Sequence, residues 1–302
     1  MKRWLGITNV LFILVTITAL LPSAKNSSQS EYTIGLLLFI ELIYIAVLLF
    51  EKNKEKVETH GDVTAIIYVI LFLWELFTAK LNLLDVHLYP APGEIVKLFL
   101  LEIPEMIKGF ISSIQLLAGG YILALVTAIP LALFIGWRKR LYKVVKPLTK
   151  VLGPIPPIVY IPYAIAILPT FKAASVFVIF IGAFWPIFIN TLNGVFNIDR
   201  RLIDSAKALN VKERSMLLEV ILPGTLPAIF SGATIGLVLS FILLTAAEMI
   251  GATSGIGWYV KYFSDFADYS KVIVGIIFIG IVVTGITFFL ERIEHYLLRW
   301  RK

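Results

Sequence analysis

Residues 197–227 read NIDRRLIDSAKALNVKERSMLLEVILPGTLP. This is the longest polar segment in the carboxy-terminal two thirds of the chain, and it sits between two apolar runs, Ala173–Val195 and Leu226–Ile250, each long enough to cross a bilayer. Its pattern predicts two short amphipathic helices with a break between them. Asn197 or Asp199 can cap the first, because a short side-chain oxygen accepts from the orphan N–H groups of the opening turn. Leu202, Ile203, Ala206 and Leu209 recur at helical spacing. Asn210 follows, and asparagine after glycine is the residue that best accepts the left-handed conformation ending a helix. The second helix carries Met216, Leu217, Val220 and Ile221 on one face, with Lys212, Glu213 and Arg214 in its first turn, and Pro223 is expected to stop it.

Outward from this stretch the chain is overwhelmingly apolar. Of 302 residues, 59% are hydrophobic and 16% charged, with a mean hydropathy of +0.89. No soluble domain needs that much apolar surface, so an all-α polytopic membrane protein is expected. The net charge of +7 reports orientation in such a chain rather than a nucleic-acid partner. With no cysteine, disulfides, thiolate metal sites and thiol nucleophiles are excluded.

Apolar runs are expected as spans at Trp4–Leu21, Ile34–Phe50, Val63–Ala79, Ile111–Trp137, Val151–Leu168, Ala173–Val195, Leu226–Ile250 and Val272–Leu290. The first follows Met-Lys-Arg and is read as a retained helix, because Pro22–Lys25 offers only a weak cleavage site. The linker 51–60 carries charges of both signs and is expected to be solvated. Pro90, Pro92 and Pro104 argue against one continuous helix before Ile111, leaving short surface helices at Glu94–Leu101 and Glu105–Phe110. The fifth run holds Pro154, Pro156, Pro157 and Pro162, which lipid tolerates only where neighbouring helices enclose the freed carbonyls. Residues 251–270 are expected as a re-entrant or surface segment. Basic stretches at Lys2 and Arg3, at 138–150, at 200–214 and at 292–302 all fall on the cytoplasmic side if about eight spans connect them. Both termini are then cytoplasmic.

At this point the residues resemble a family. Permease subunits of bacterial ABC importers carry, between two late spans, a cytoplasmic loop of the form E-A-A, three residues, Gly, nine residues, I-x-L-P. Asp204, Ser205 and Ala206 stand for the triplet, Asn210 for the glycine, and Val220, Leu222 and Pro223 for the closing motif, at that spacing. Tyr89-Pro90-Ala91-Pro92-Gly93-Glu94 resembles the F-P-S-P-x-E that precedes the core in the nitrate, sulfonate, taurine and bicarbonate branch. Ala247, Glu248, Ile250, Ala252, Gly255 and Gly257 match its A-E-x-I-x-A-x-x-G-x-G.

The resemblance implies a type I importer permease core of five spans over residues 89–302, with about three additional spans in 1–88 as an extension. It implies that the loop 197–223 forms coupling helices for an ATP-binding cassette ATPase subunit, with Asp204, Ser205, Ala206 and Leu209 in the first and Asn210, Val211 and Pro223 completing the motif. It further implies a second permease copy and an external or periplasmic binding protein that delivers a small, often anionic solute, in a bacterial cell membrane. This chain has no G-x-x-x-x-G-K-[ST], so ATP would be bound by the partner and no cofactor by this chain. It is expected to be a transport subunit rather than an enzyme.

Other chemistry is sparse. His60, His87 and His295 lack ligand spacing, so no metal site is expected. A G-x-S-G intramembrane protease is disfavoured because Ala252 takes the first glycine position and no late span holds a histidine. Glu41, Glu75 and Glu248 lie in or at spans, where ionisable groups are functional candidates by default, and they carry the rival reading of a gradient-driven secondary transporter. Glu248 is expected to tie the seventh span to the segment after it by accepting from N–H groups near Gly255. Glu41 and Glu75 are expected to pair with Lys80 or a neighbouring helix. Ser112, Gln115, Asn190, Asn193 and Thr245 are polar groups in spans that either line a path or bond helix to helix.

Overall fold

The computed structural model describes residues 6–23, 29–85 and 87–299. The predicted orientation markers Lys2, Arg3, Arg301 and Lys302, and Lys25 of the weak cleavage site, lie outside the described residues. Every regular element among the described residues is helical. Six helices are long and apolar enough to cross a membrane, and a bent pair, Lys139–Leu152 with Pro157–Ile167, would make a seventh. The expected first span is shorter: α1 covers Ile7–Leu20 in 14 residues, ~21 Å against a hydrocarbon core of ~30 Å.

The chain divides into two compact units, one of residues 1–105 with 260–277 and one of 106–259 with 278–302. In the first unit, α1 packs with α2 (Ser30–Phe50) and α3 (Lys54–Glu75, extended by a π turn at Leu76–Lys80) around Val15, Leu37, Tyr68 and Leu71. The expected solvated linker shrinks to residues 51–53, because the Asn53 side chain accepts from the Glu55 N–H at 3.0 Å and starts α3 at once. The two buried carboxylates in the spans of this unit, Glu41 and Glu75, each have a partner, as a polar group in apolar surroundings needs. The Tyr68 hydroxyl donates to Glu41 at 2.8 Å, and Lys80 Nζ lies 3.4 Å from Glu75 while donating to the Ala19 and Leu21 carbonyls at 3.1 and 2.7 Å. In the part of this unit formed by residues 260–277, Lys271 meets Glu102 at 3.0 Å.

The expected short helices at 94–101 and 105–110 are instead part of one helix, α4 (Pro92–Trp137). Pro92 begins it, where a missing N–H costs nothing, and a proline within a long membrane helix is tolerated when its surroundings satisfy the freed carbonyl. After it come α5 (Lys139–Leu152), α6 (Tyr160–Ile167) and α7 (Phe171–Phe196). The predicted fifth span is therefore not one helix. Pro154, Pro156 and Pro157 break it, and the two arms are bent by 69°.

The second unit is held by small residues that bring backbones together, the usual device where lipid removes any hydrophobic drive between helices. Ala124, Ala128 and Ala132 repeat every fourth residue of α4 and pack on Ala183, Ile187 and Leu192 of α7. α10 (Leu222–Gly251) lies along α7. A Cβ on Gly232 would stand 2.9 Å from the Pro186 carbonyl, and one on Gly182 would meet Leu243. Pro186 sits inside α7 without ending it, and the Asn190 side chain donates to its carbonyl at 2.8 Å. After α10 the expected re-entrant segment contains α11 (Ile256–Asp265), and α12 (Tyr269–Leu297) is the last span.

Candidate functional site

The polar stretch 197–221 folds as a helix, a reversal and a return. Asp199 is the cap chosen by the structure: its carboxylate accepts from the Arg201 N–H at 2.9 Å and opens α8 (Arg200–Ala208), while Asn197 instead closes α7. α8 ends in a Schellman motif. The Val211 N–H donates to the Ala206 carbonyl at 3.1 Å, and the Asn210 N–H to the Lys207 carbonyl at 2.9 Å. Asn210 carries the left-handed φ of 51° that this closure requires. Val211 also packs in the cluster that holds Ala206, the apolar contact usual for this cap.

The return strand of this turn departs from expectation. A single turn, α9 (Glu213–Ser215), runs into a π turn at Met216–Ile221 and straight on into α10. Pro223 does not stop the helix: it is the second residue of α10, where the preceding wide turn has already displaced the hydrogen-bond register and the absent N–H costs least. Met216 and Ile221 are buried with Val195 and Ala206, and Ile198, Leu217 and Val220 pack against them. One face of α8 is thus clamped to the bundle through Ala206. The opposite side is open, with Asp204, Ser205 and Asn210 exposed, Leu202 55% exposed and Leu209 79% exposed. Arg138 approaches Glu213 at 4.0 Å across the same surface, an exposed pair worth little by itself.

At the other end of α10 lies a closed polar knot. Glu248 is buried, and its two oxygens accept from the Gly257 N–H at 2.8 Å and from the Ser113 hydroxyl at 2.6 Å. Ser113 in turn accepts from the Ile256 N–H at 2.9 Å. One carboxylate and one hydroxyl therefore take the first orphan donors of α11, which is how a buried helix start must be satisfied. Gly255 turns with φ +131°, and a Cβ there would lie 2.4 Å from the Glu248 carboxyl carbon; one on Gly257 would lie 2.6 Å from the Thr245 carbonyl. Gly109 of α4 closes the packing against the Gly255 carbonyl group, with 3.2 Å available to a Cβ.

Glu248, Gly255 and Gly257 are brought together as the sequence suggested. Ser113 and Gly109 were missed, although Gly109, Ser113 and Gly120 form a small-residue series on one helix that could have marked a close approach. Of the other polar candidates, Asn190 and Thr245 bond backbone within their own helices. Ser112 pairs with Ser254 at 2.9 Å, and Gln115 and Asn193 are exposed.

Comparison with known proteins gives a consistent set of relatives. Residues 120–302 match the family described as binding-protein-dependent transport system inner membrane component. A protein of Methanocaldococcus jannaschii named as an ABC transporter permease is 30% identical over 76% of this chain and 88% of its own length. The nitrate import permease protein NrtB of Leptolyngbya laminosa is 36% identical over 57% of this chain and 61% of its own. The aliphatic sulfonates transport permease protein SsuC of Bacillus subtilis is 29% identical over 77% and 85%. Among solved structures, a chain of the MetNI methionine ABC transporter in an inward-facing conformation superposes with a TM-score of 0.56 at 20% identity, covering 65% of this chain and 97% of that one.

Proposed function

Because the chain belongs to the family of inner membrane components of binding-protein-dependent transport systems, and so is a multi-pass permease subunit of an ABC importer, we propose that residues 199–222 are the handle by which an ATP-hydrolysing partner moves it. The observation that carries this is the split character of α8: Ala206 is fixed in the bundle, while Leu202 and Leu209 stand exposed. An exposed apolar ridge on a short helix suits an apolar groove on another protein. The Schellman closure at Asn210 makes that ridge stiff, and the continuous helix from Glu213 to Gly251 would carry a push on it into α10.

In this reading ATP is bound by two ATPase subunits and this chain holds no nucleotide. Closure of the ATPases draws the α8 turns of two permease copies together and tips the equilibrium toward an outward-open path. Such a shift needs the ATPases to bind one state more tightly than the other. The handle then faces the cytoplasm with both termini, and an external binding protein delivers a small solute, anionic by analogy with the nitrate and sulfonate permeases. Glu248, Gly255 and Gly257 act as a packing clamp rather than a solute contact. Residues 89–302 form the transporting core and 1–88 an extension.

The test uses the tagged full chain, purified from membranes of the cells that encode it. A subunit bearing a Walker motif should co-purify with the unaltered chain. Leu209→Asp places a charge in the docking contact and should weaken capture by about thirtyfold, the ~2 kcal/mol of an interface hot spot. Deletion of 204–210 should abolish ATP-driven uptake while the permease remains folded. Normal transport in either variant overturns the assignment. Uptake by the purified chain alone under an ion gradient would instead restore the secondary-transporter reading, against which Glu41, Glu75 and Glu248 all stand as paired groups.

A further inference from the structure

α5 has three faces. Lys139, Lys143, Lys146 and Lys150 fall on one stripe at helical spacing. Tyr142 and Thr149 are buried on a second, where Tyr142 stacks on Phe196 at 4.2 Å and fixes the helix to the bundle. The third carries Val144, Leu148 and Val151, exposed by 61%, 51% and 68%, and lies on the opposite side from the lysines. Among the described residues no carboxylate pairs with Lys139, Arg140, Lys143 or Lys150, and the sequence has no acidic residue between Arg138 and Ile198. The arm Pro157–Ile167 that follows turns away by 69°, so α5 lies close to the membrane plane if that arm enters the bilayer.

We propose that α5 is a docking surface for anionic phospholipid: Val144, Leu148 and Val151 enter the acyl boundary, and the long side chains of Lys139, Lys143 and Lys150 bend back from the far side of the helix toward the headgroup phosphates, while Lys146 stays over the Tyr142 and Phe196 rings. An anionic leaflet is the one surface that satisfies both faces at once: it attracts basic side chains within a Debye length and buries an apolar helix face to a shallow depth. Water would leave the aliphatic face uncovered. A second copy packed here about a twofold axis would set the same lysine stripe against itself, with no carboxylate on α5 to complement it.

The chain has no cysteine, so Leu148→Cys and Lys143→Cys each offer a unique site for a nitroxide. In vesicles of phosphatidylglycerol and phosphatidylcholine, the label at 148 should be reached by oxygen and shielded from an aqueous nickel chelate, and the label at 143 the reverse. Spin-labelled phosphatidylglycerol should associate with the protein in preference to phosphatidylcholine. The triple change Lys139→Gln, Lys143→Gln, Lys150→Gln should cut that preference by about fivefold or more, and the same three positions changed to Arg should keep it. Unchanged lipid preference in the Gln variant, a water-exposed label at 148, or dipolar broadening between the 148 labels of two copies that persists without anionic lipid would each overturn the proposal.

Discussion

The two ends of α10 are built on opposite rules. At its carboxyl end the chain closes on itself: Glu248, Ser113 and the N–H groups of Ile256 and Gly257 satisfy one another, and Gly255 and Gly257 leave no room for a side chain. Ahead of its amino end, α8 is also closed in its backbone, by the Schellman motif at Asn210, but the apolar side chains Leu202 and Leu209 are left exposed. An end that consumes all its interactions internally serves folding. On the proposed reading, an end that withholds apolar surface keeps it for the ATPase. Substitutions at the knot should therefore reduce stability and transport together, and substitutions on the ridge should separate them.

The largest effect is expected at Gly255. Valine there must adopt a φ that β-branched residues scarcely reach, and its Cβ would sit inside the Glu248 carboxyl group. Gly255→Val should remove folded protein from the membrane altogether, measured as loss of a monodisperse peak in detergent. If the variant is recovered folded and is merely inactive, the knot is a gate rather than a clamp. A smaller loss follows from Glu248→Gln. The amide can still accept from Gly257, but its NH2 then faces Ser113, whose own proton has lost its acceptor. One buried polar group left unsatisfied costs about 1–3 kcal/mol, read as a lower midpoint of thermal unfolding with ATP coupling per folded molecule unchanged.

These two ends were unequally legible in the sequence. Glu248, Gly255 and Gly257 announce themselves, since a carboxylate beside glycines in an apolar context must find donors close by. The helix-turn pattern of 199–211 was readable because caps and left-handed residues are local chemistry. What was not readable was how prolines would behave. Pro104 and Pro223 were expected to end helices and do not, whereas Pro154, Pro156 and Pro157 do break one. Pro154, Pro156 and Pro157 crowd four positions, and each disfavours the helical conformation of the residue before it, whereas Pro104 stands alone within α4 and Pro223 follows a π turn that has already displaced the register. Ser113 was missed for a related reason: the series Gly109, Ser113 and Gly120 marks a close approach, but its partner, Ile256, lies far along the chain and nothing local names it.

Asp199→Ala tests the ridge from its base. Loss of the cap to the Arg201 N–H should cost about 1 kcal/mol, spent in fraying α8 rather than in unfolding the bundle, because Ala206 still holds the helix from below. Faster amide exchange confined to 200–205, with the unfolding midpoint nearly unchanged, is the expected signature.

The smallest change separates the two meanings that Asn210 can have. Glycine adopts the left-handed conformation at less cost than asparagine, so Asn210→Gly should leave the Schellman closure intact and alter stability by only a few tenths of a kcal/mol. Asn210→Val should oppose it, since a β-branched residue at φ 51° is strained by about 1–2 kcal/mol. If the asparagine serves only to turn the chain, the glycine variant transports as well as the original and the valine variant, by displacing Leu209, does not. If the glycine variant also fails while the backbone closure persists in its amide-exchange pattern, the Asn210 side chain itself belongs to the surface that meets the ATPase, and the exposed ridge is wider than its two leucines.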